Sequence, residues 1–150
     1  MSRLTVADAR PTDAQSLAPR LRQADRAEIA AASGEGPEVA LHRGIVASAA
    51  PRTVLAGGVP IAVFGVVNCG GGVGSPWLLG SDSMLTHWFE CARRSREEIA
   101  YMRADWPRLE NYVDVRNAIH VRWLQWLGAR LDGPYIHGVA RLPFWRFAIV

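Results

Sequence analysis

Asp25, Arg26 and Glu28 fall within four positions and are the first candidates for chemistry in this chain. Two carboxylates at this spacing could bind an amine and take up its proton. The same residues could instead form a helix cap and a surface ion pair, and both interpretations stay open. We predict Asp25 and Glu28 as candidate catalytic residues and Arg26 as a candidate substrate-binding residue.

His120 is a third catalytic candidate, because an imidazole exchanges protons near neutral pH. A lone histidine on a helix is more often a surface or packing residue, so that reading also stays open. The histidines at positions 42, 87, 120 and 137 are too dispersed for a metal pair on one helix, and no metal site is expected. Cys69 and Cys91 are too few for a disulfide framework or a zinc site.

The charged and glycine-rich segments argue against several classes of partner. The net charge is +3 and every basic side chain is arginine, but the only cluster is Arg93-Arg94-x-Arg96, so nucleic-acid binding is not expected. Gly70-Gly-Gly-Val-Gly74 resembles a phosphate loop but lacks a following Lys-Ser/Thr and predicts a hairpin turn. No apolar run approaches the roughly 20 residues of a membrane helix, and no secretory signal is evident, so a cytoplasmic protein is expected.

The hydrophobic pattern predicts one domain over residues 1–150. A short strand over Leu4–Asp8 precedes three helical segments that end near residue 49. Arg52 to Asn68 is the clearest β segment, with Gly57-Gly58 as its hairpin turn. The second arm is almost wholly apolar and should be a central strand covered on both faces.

The second half of the chain predicts a strand near residues 75–79 and the longest helix over residues 83–104. A strand, a turn and a Trp-rich helix then run from Asn111 to Gly128. Asn117 is placed to cap that helix and Gly128 to end it in the left-handed conformation. An aromatic strand over residues 144–150 closes the chain, and its exposed edge could pair with another subunit.

The strand, the Asn at the turn and the helix stop at Gly128 resemble the cofactor-binding core of the GCN5-related N-acetyltransferase (GNAT) fold. The order of elements along the whole chain agrees with that resemblance. It implies an α/β (α+β) fold with a central mixed, mostly antiparallel sheet flanked by helices. It also implies acetyl-CoA as the cofactor, held by residues after the fourth strand and by Asn117. Those cofactor-binding candidates are Leu78, Leu79, Gly80, Ser81, Asp82 and Ser83.

Several stretches resemble a narrower family, the internal virion protein A-like proteins of short-tailed phages and prophages. They are Pro76-Trp-Leu-Leu-Gly-Ser-Asp82, Leu109-Glu-Asn-Tyr-Val-Asp-Val-Arg-Asn117, Gln23-Ala-Asp-Arg-Ala-Glu28 and Ala62-Val-Phe-Gly-Val-Val67. This resemblance implies a phage gene product with other virion or assembly proteins as partners. It would act in the bacterial host cytoplasm or be packaged in the virion.

The residues at the implied cofactor site depart from those of working acetyltransferases. The loop after the fourth strand has Gly80 alone where the family has two loop glycines, and Asp82 would repel a diphosphate and cap the helix amides that should bind it. Leu124 occupies the position that usually holds the tyrosine general acid. The sequence therefore favours a catalytically degenerate GNAT-fold protein of virion assembly. The alternative is an active N-acetyltransferase that modifies a host or phage amine.

Overall fold

The computed structural model describes residues 3–150, so the first two residues of the expected domain lie outside the described part. Its strands are β1 (Leu4–Asp8), β2 (Ala49–Ala56), β3 (Val59–Gly70), β4 (Val73–Gly80), β5 (Arg108–Asp114), β6 (Arg130–His137) and β7 (Leu142–Ile149). Its helices are α1 (Pro11–Leu17), α2 (Gln23–Ala32), α3 (Pro37–Ala47), α4 (Ser83–Thr86), α5 (Trp88–Asp105) and α6 (Ala118–Trp126), with a 3-10 turn over Ala18–Arg20.

The seven strands form one mixed sheet in the order β1-β2-β3-β4-β5-β7-β6, which confirms the expected fold class. All neighbouring strands are antiparallel except β4 and β5. The expectation that the C-terminal strand is an exposed edge is wrong. The chain forms the extra strand β6, which pairs with the outer side of β7, so that β7 lies between β5 and β6.

The sheet opens between β4 and β5. These strands pair only at their first residues, where Val73 lies opposite Arg108 and Gly74 opposite Leu109. Beyond that point the side-chain amide of Asn111 donates to the carbonyl oxygen of Pro76 at 2.9 Å. Toward their carboxyl ends the two strands are no longer paired, which leaves a gap in the middle of the sheet.

Apolar side chains pack on both faces of the sheet. On one face α1, α2 and α3 bury a cluster that includes Leu17, Leu41 and Val63. The other face carries α4, α5 and α6, with Leu109 and Val113 of β5 in two adjoining clusters. The strand β3 is buried from Pro60 to Val66, as its unbroken apolar run predicts, because helices cover it on both sides.

The long helix differs from its prediction in two respects. It is interrupted at His87, which separates the four-residue α4 from α5. Their helical spacing predicts that Leu85, Trp88 and Phe89 share one buried apolar face, but Phe89 is 90% exposed and the other two are also exposed. Ala92, which belongs to the same predicted face, is buried, and Cys91 beside it is buried as well.

Candidate functional site

The gap between β4 and β5 leads into a cavity of about 490 Å³ that is lined from both faces of the sheet. Trp77, Leu78 and Leu79 line it from β4, and Tyr112 and Val113 line it from β5. The cavity is mostly apolar. A well-formed apolar cavity with a few polar groups directed into it is the usual form of a small-molecule site.

Glu28 lines this cavity from α2. Its Oε1 accepts hydrogen bonds from the backbone N–H of Asp114 at 2.9 Å and from Nδ2 of Asn117 at 3.4 Å. Within residues 3–150, its Oε2 accepts none. Burial, opposed by the Asp114 hydrogen bond and aided by the nearby charge of Asp25, raises the pKa of Glu28 to about 7. A carboxylate that titrates near neutral pH can take a proton from a ligand.

Two ring systems of α6 line the same cavity, His120 and Trp123, with ring centroids 5.2 Å apart. Burial, together with the positive charge of Arg22, lowers the pKa of His120 to about 4, so the imidazole is neutral at physiological pH. The indole Nε1 of Trp123 is buried and has no hydrogen-bond partner among the described residues. Besides Glu28 and the neutral His120, the charged residues Arg43, Arg94 and Glu98 and a second imidazole, that of His137, also line the cavity.

Asp25 lies at the end of the gap and joins its two sides. It is 0% exposed. Its Oδ2 accepts from the backbone N–H of Gly80, at the end of β4, at 3.0 Å, and its Oδ1 accepts from Nδ2 of Asn117, at the start of α6, at 3.1 Å. With both oxygens engaged, Asp25 has no free atom for a substrate. These contacts favour a positioning role in place of the catalytic role expected from the sequence.

Arg22 completes this closed end of the gap. Its guanidinium donates to Oδ1 of Asp25 at 3.3 Å and to Oδ1 of Asn117 at 3.2 Å. Its backbone N–H donates to the carbonyl oxygen of Gly80 at 2.9 Å. Burial raises the pKa of Asp25, and Arg22 opposes that shift. We call Arg22, Asp25, Gly80 and Asn117 the bridge.

Asn117 and Asp82 were predicted to lie directly before helices and to cap them with their side chains. The positions are confirmed, but the capping is wrong. Asn117 and Asp82 do occupy the positions before α6 and α4, but neither side chain accepts a helix amide. The amide of Asn117 is instead turned toward α2, where Asp25, Glu28 and Arg22 satisfy it. A buried carboxylate and a buried guanidinium both need partners, and the Asn117 amide offers a donor to one and an acceptor to the other.

Arg26 is placed away from the cavity. Its Nε donates to the carbonyl oxygen of Leu21 at 3.2 Å and its terminal nitrogen donates to that of Ala18 at 2.9 Å. Both carbonyls belong to the turn between α1 and α2, and that of Ala18 also accepts the backbone N–H of Leu21 at 3.4 Å. The contacts give Arg26 a role in holding that turn, and the predicted contact with substrate has no geometric support.

The loop that should hold the diphosphate of acetyl-CoA is poorly suited to it. The amide of Gly80 is bonded to Asp25, and the amide of Ser81 is bonded to the carbonyl oxygen of Ile61 at 2.9 Å. The side chain of Met84 packs so closely on Gly80 that an added Cβ would collide with its sulfur. Of the described residues that line the cavity, Leu78, Leu79 and Met84 belong to this segment, and none lies in 80–83.

Asp82 adds a second obstacle, because it puts a carboxylate beside the remaining amides of the loop, those of Asp82 and Ser83. Asp82 and Ser83 are exposed, and Ser83 is the first residue of the four-residue α4, whose dipole is weak. The residues that line the gap therefore suit an apolar part of a ligand. The residues at the end of the gap do not suit a diphosphate.

Leu124 is 5% exposed and packs with Val113 and Phe147, so no hydroxyl stands at the position expected for the general acid. The sequence did not single out Arg22 or Trp123. Arg22 lies directly before the Gln23-to-Glu28 segment, but nothing in the local sequence indicates that its side chain is buried. Its burial depends on the contact with Asn117, which is 95 residues away in the chain. Trp123 belongs to the predicted Trp-rich helix, but its place in the cavity depends on the packing of α6.

No protein-family model matches the sequence, and no curated protein is significantly similar to it. Solved structures are similar in fold. A GNAT-family acetyltransferase from Bacillus anthracis has 11% identity and a TM-score of 0.70, with 100% of this chain and 98% of that chain covered. A spermidine N-acetyltransferase chimera from Vibrio cholerae and hSSAT has 13% identity and a TM-score of 0.72, with 99% and 96% covered.

An acetyltransferase from Bacillus subtilis, solved in complex with CoA, has 9% identity and a TM-score of 0.67, with 99% of this chain and 98% of that chain covered. At such low identity these structural similarities show the fold but not the activity. No helix within residues 3–150 is long and apolar enough to cross a membrane. The chain has the GCN5-related N-acetyltransferase fold.

Proposed function

We propose that this chain is a GNAT-fold binding protein that has lost acetyl-CoA-dependent transfer and keeps a small-molecule cavity in its sheet. The observation that carries the proposal is the bridge, in which Asp25 joins Gly80 at the end of β4 to Asn117 at the start of α6. It occupies the end of the gap beside the expected phosphate loop. The proposal is also supported by Leu124, which occupies the position where working acetyltransferases usually have a tyrosine general acid.

Asp25 and Arg22 are both buried, so breaking their contacts is costly. A diphosphate at this loop would have to displace Asp25 from the Gly80 amide and lie close to its carboxylate. Separating Asp25 from Arg22 would leave a buried charge unpaired, which costs on the order of 3–5 kcal/mol. Such a penalty lowers the affinity for a phosphate-bearing ligand by roughly two to four powers of ten.

Calorimetric titration of the purified protein with acetyl-CoA and with desulfo-CoA, a non-acylating comparison, tests this proposal. We expect no binding heat from either ligand up to millimolar concentration. Low-micromolar binding of both would contradict the loss of the cofactor site. As a positive control, an acetyltransferase known to bind CoA should give heat under the same conditions.

The biological setting we propose is virion assembly, with other phage virion or assembly proteins as partners. It is supported by the sequence stretches around Pro76–Asp82 and Leu109–Asn117 that resemble internal virion proteins. Exposed apolar side chains at Leu85, Trp88 and Phe89 provide a surface of the kind that protein partners cover. We expect the protein in mass spectra of purified particles, and its absence there, with normal particle yield on deletion, would refute this setting.

A second function, N-acetyl transfer to an amine, is favoured by one observation, the exposure of Glu28 to the cavity with a pKa of about 7. Glu28 would take the proton of the acceptor amine. An assay with acetyl-CoA and a panel of host and phage amines tests it. Turnover that is lost in Glu28→Gln but kept in Glu38→Gln, a control at an exposed glutamate that does not line the cavity, would support this function over the first.

A further inference from the structure

We propose that three arginines on one face of β5, β6 and β7, Arg108, Arg130 and Arg146, form a docking site for a carboxylate side chain on an acidic segment of a protein partner. The three residues line a surface depression of about 460 Å³. Arg108 is the first residue of β5, whereas the gap lies toward the carboxyl end of that strand. The inference therefore goes beyond the proposed function and does not depend on the bridge.

The strand register places the three arginines on the same face of the sheet. Ala148 of β7 lies opposite Arg130 of β6 on one side and opposite Glu110 of β5 on the other. Directly opposed residues share a face, and so do residues two positions apart along a strand, which adds Arg108 and Arg146. The short side chain of Ala148 thus lies among longer charged ones and forms part of the floor of the depression.

Two of the arginines already bind a carboxylate of the chain itself. Nε of Arg108 donates to Oε2 of Glu110 at 2.8 Å, and a terminal nitrogen of Arg146 donates to the same oxygen at 3.2 Å. These hydrogen bonds, first that of Arg108, lower the pKa of Glu110 and keep it ionised. A guanidinium has five N–H donors, and each of these two uses one of them among residues 3–150. The other donors can bind a second carboxylate.

Arg130 carries the positive charge that has no counter-charge. Its side chain makes no hydrogen bond and no ion pair within the described part of the chain. Asp132, which also lines the depression, accepts the hydroxyl of Tyr135 at 2.8 Å. Among the side chains, three guanidinium groups against the two carboxylates of Glu110 and Asp132 leave one positive charge. A single carboxylate balances it, whereas a dianionic phosphate would bring excess negative charge beside two carboxylates.

The surroundings of the arginines favour a protein partner over a small molecule. The side chains of Arg108 and Arg146 are 44% and 43% exposed, and Arg130 is exposed as well. Tyr135, joined to the cluster through Asp132, is also exposed. Arginine and tyrosine are enriched at the centres of protein interfaces, whereas small-molecule sites are mostly apolar and concave. Since β6 is the last strand of the sheet, no further strand of residues 3–150 lies beyond it.

Fluorescence anisotropy with a labelled hexaglutamate peptide tests the site. We expect this peptide to bind at low ionic strength and labelled hexaglutamine not to bind. Raising the salt from about 0.01 M to about 0.15 M shortens the Debye length from about 30 Å to about 8 Å and should weaken binding. Arg130→Gln should weaken hexaglutamate binding at least about threefold. Arg103→Gln, which removes an exposed arginine of α5 on the opposite face of the sheet, should leave it unchanged.

A second variant separates a shaped site from a general attraction to positive charge. Ala148→Leu keeps every charge and fills part of the depression, so it should also weaken hexaglutamate binding at least about threefold. Equal weakening by Arg130→Gln and Arg103→Gln, or no effect of Ala148→Leu in a protein folded by circular dichroism, would overturn the site. Tighter binding of a labelled thymidine hexanucleotide than of hexaglutamate, weakened by Arg130→Gln, would make the partner a nucleic acid and refute the inferred class.

Discussion

Asp25 and Gly80 lie 55 residues apart in the chain, yet the carboxylate of one accepts the backbone N–H of the other at 3.0 Å. This bond joins the start of α2 to the end of β4 and belongs to a buried bridge that also contains Arg22 and Asn117. The same amide would be needed to hold a phosphate. One hydrogen bond therefore connects the stability of the fold with the proposed exclusion of phosphate-bearing ligands.

Asp25→Asn tests the contribution of the bridge to stability. The substitution keeps the volume but turns an amide donor toward either the Gly80 N–H or the donors of Asn117 and Arg22, and it leaves the buried guanidinium of Arg22 without its counter-charge. We expect a loss of about 3 kcal/mol in the free energy of unfolding, measured by urea denaturation. The control is Glu35→Gln, which removes an exposed pair with Arg43 and should change little. Equal stability of both variants would contradict the importance of the bridge.

The opposite pKa shifts of Glu28 and His120 predict an unusual pH dependence of stability. The folded-state pKa of Glu28 is raised from 4.5 to about 7, so its contribution is full below pH 4.5 and is lost as pH rises toward 7. The pKa of His120 is lowered from 6.5 to about 4, so its contribution is present above 6.5 and is lost as pH falls toward 4. Between about pH 4.5 and 6.5 the two effects oppose each other.

Single variants should separate these effects. In Glu28→Gln, stability should rise by about 2 kcal/mol between pH 4.5 and 6.5 relative to the wild type, because only the His120 effect is left. In His120→Gln it should fall by a similar amount over the same range. Urea unfolding at several pH values measures both, and the other titrating groups cancel because all three proteins share them. Parallel curves for the three proteins would contradict the assigned shifts.

The sequence predicted most of the fold and only part of the site. Gly57-Gly58 forms its hairpin and Gly128 ends α6 in the left-handed region, because both depend on local backbone geometry. The amide of Asn117 could not be placed in the same way. Its partner Asp25 is 92 residues distant, and a local cap was the only contact visible in the sequence. Glu28 was predicted as catalytic from type and spacing, and its role stays a prediction.

The contact between Gly80 and Met84 predicts a pair of compensating substitutions. A methyl group at Gly80 would collide with the sulfur of Met84. Because Met84 is flexible but buried at 8% exposure, Gly80→Ala should destabilise by about 1–3 kcal/mol. Adding Met84→Ala should restore part of that loss, so the double variant is more stable than the sum of the single effects predicts. Strict additivity in urea unfolding would show that the side chain of Met84 is not the obstacle.

Leu124→Tyr tests whether a general acid can simply be restored. The larger side chain would disturb a packed cluster with Val113 and Phe147, because Leu124 is part of the core even though it also lines the cavity. We expect a loss of about 1–3 kcal/mol in stability and no acetyl transfer to the amine panel. Leu124→Met, close in volume, should cost less than about 1.5 kcal/mol and is the matched control. Acetyltransferase activity that appears in a stable Leu124→Tyr protein would mean that the cleft still admits its cofactor, and the closure by Asp25 would then be wrong.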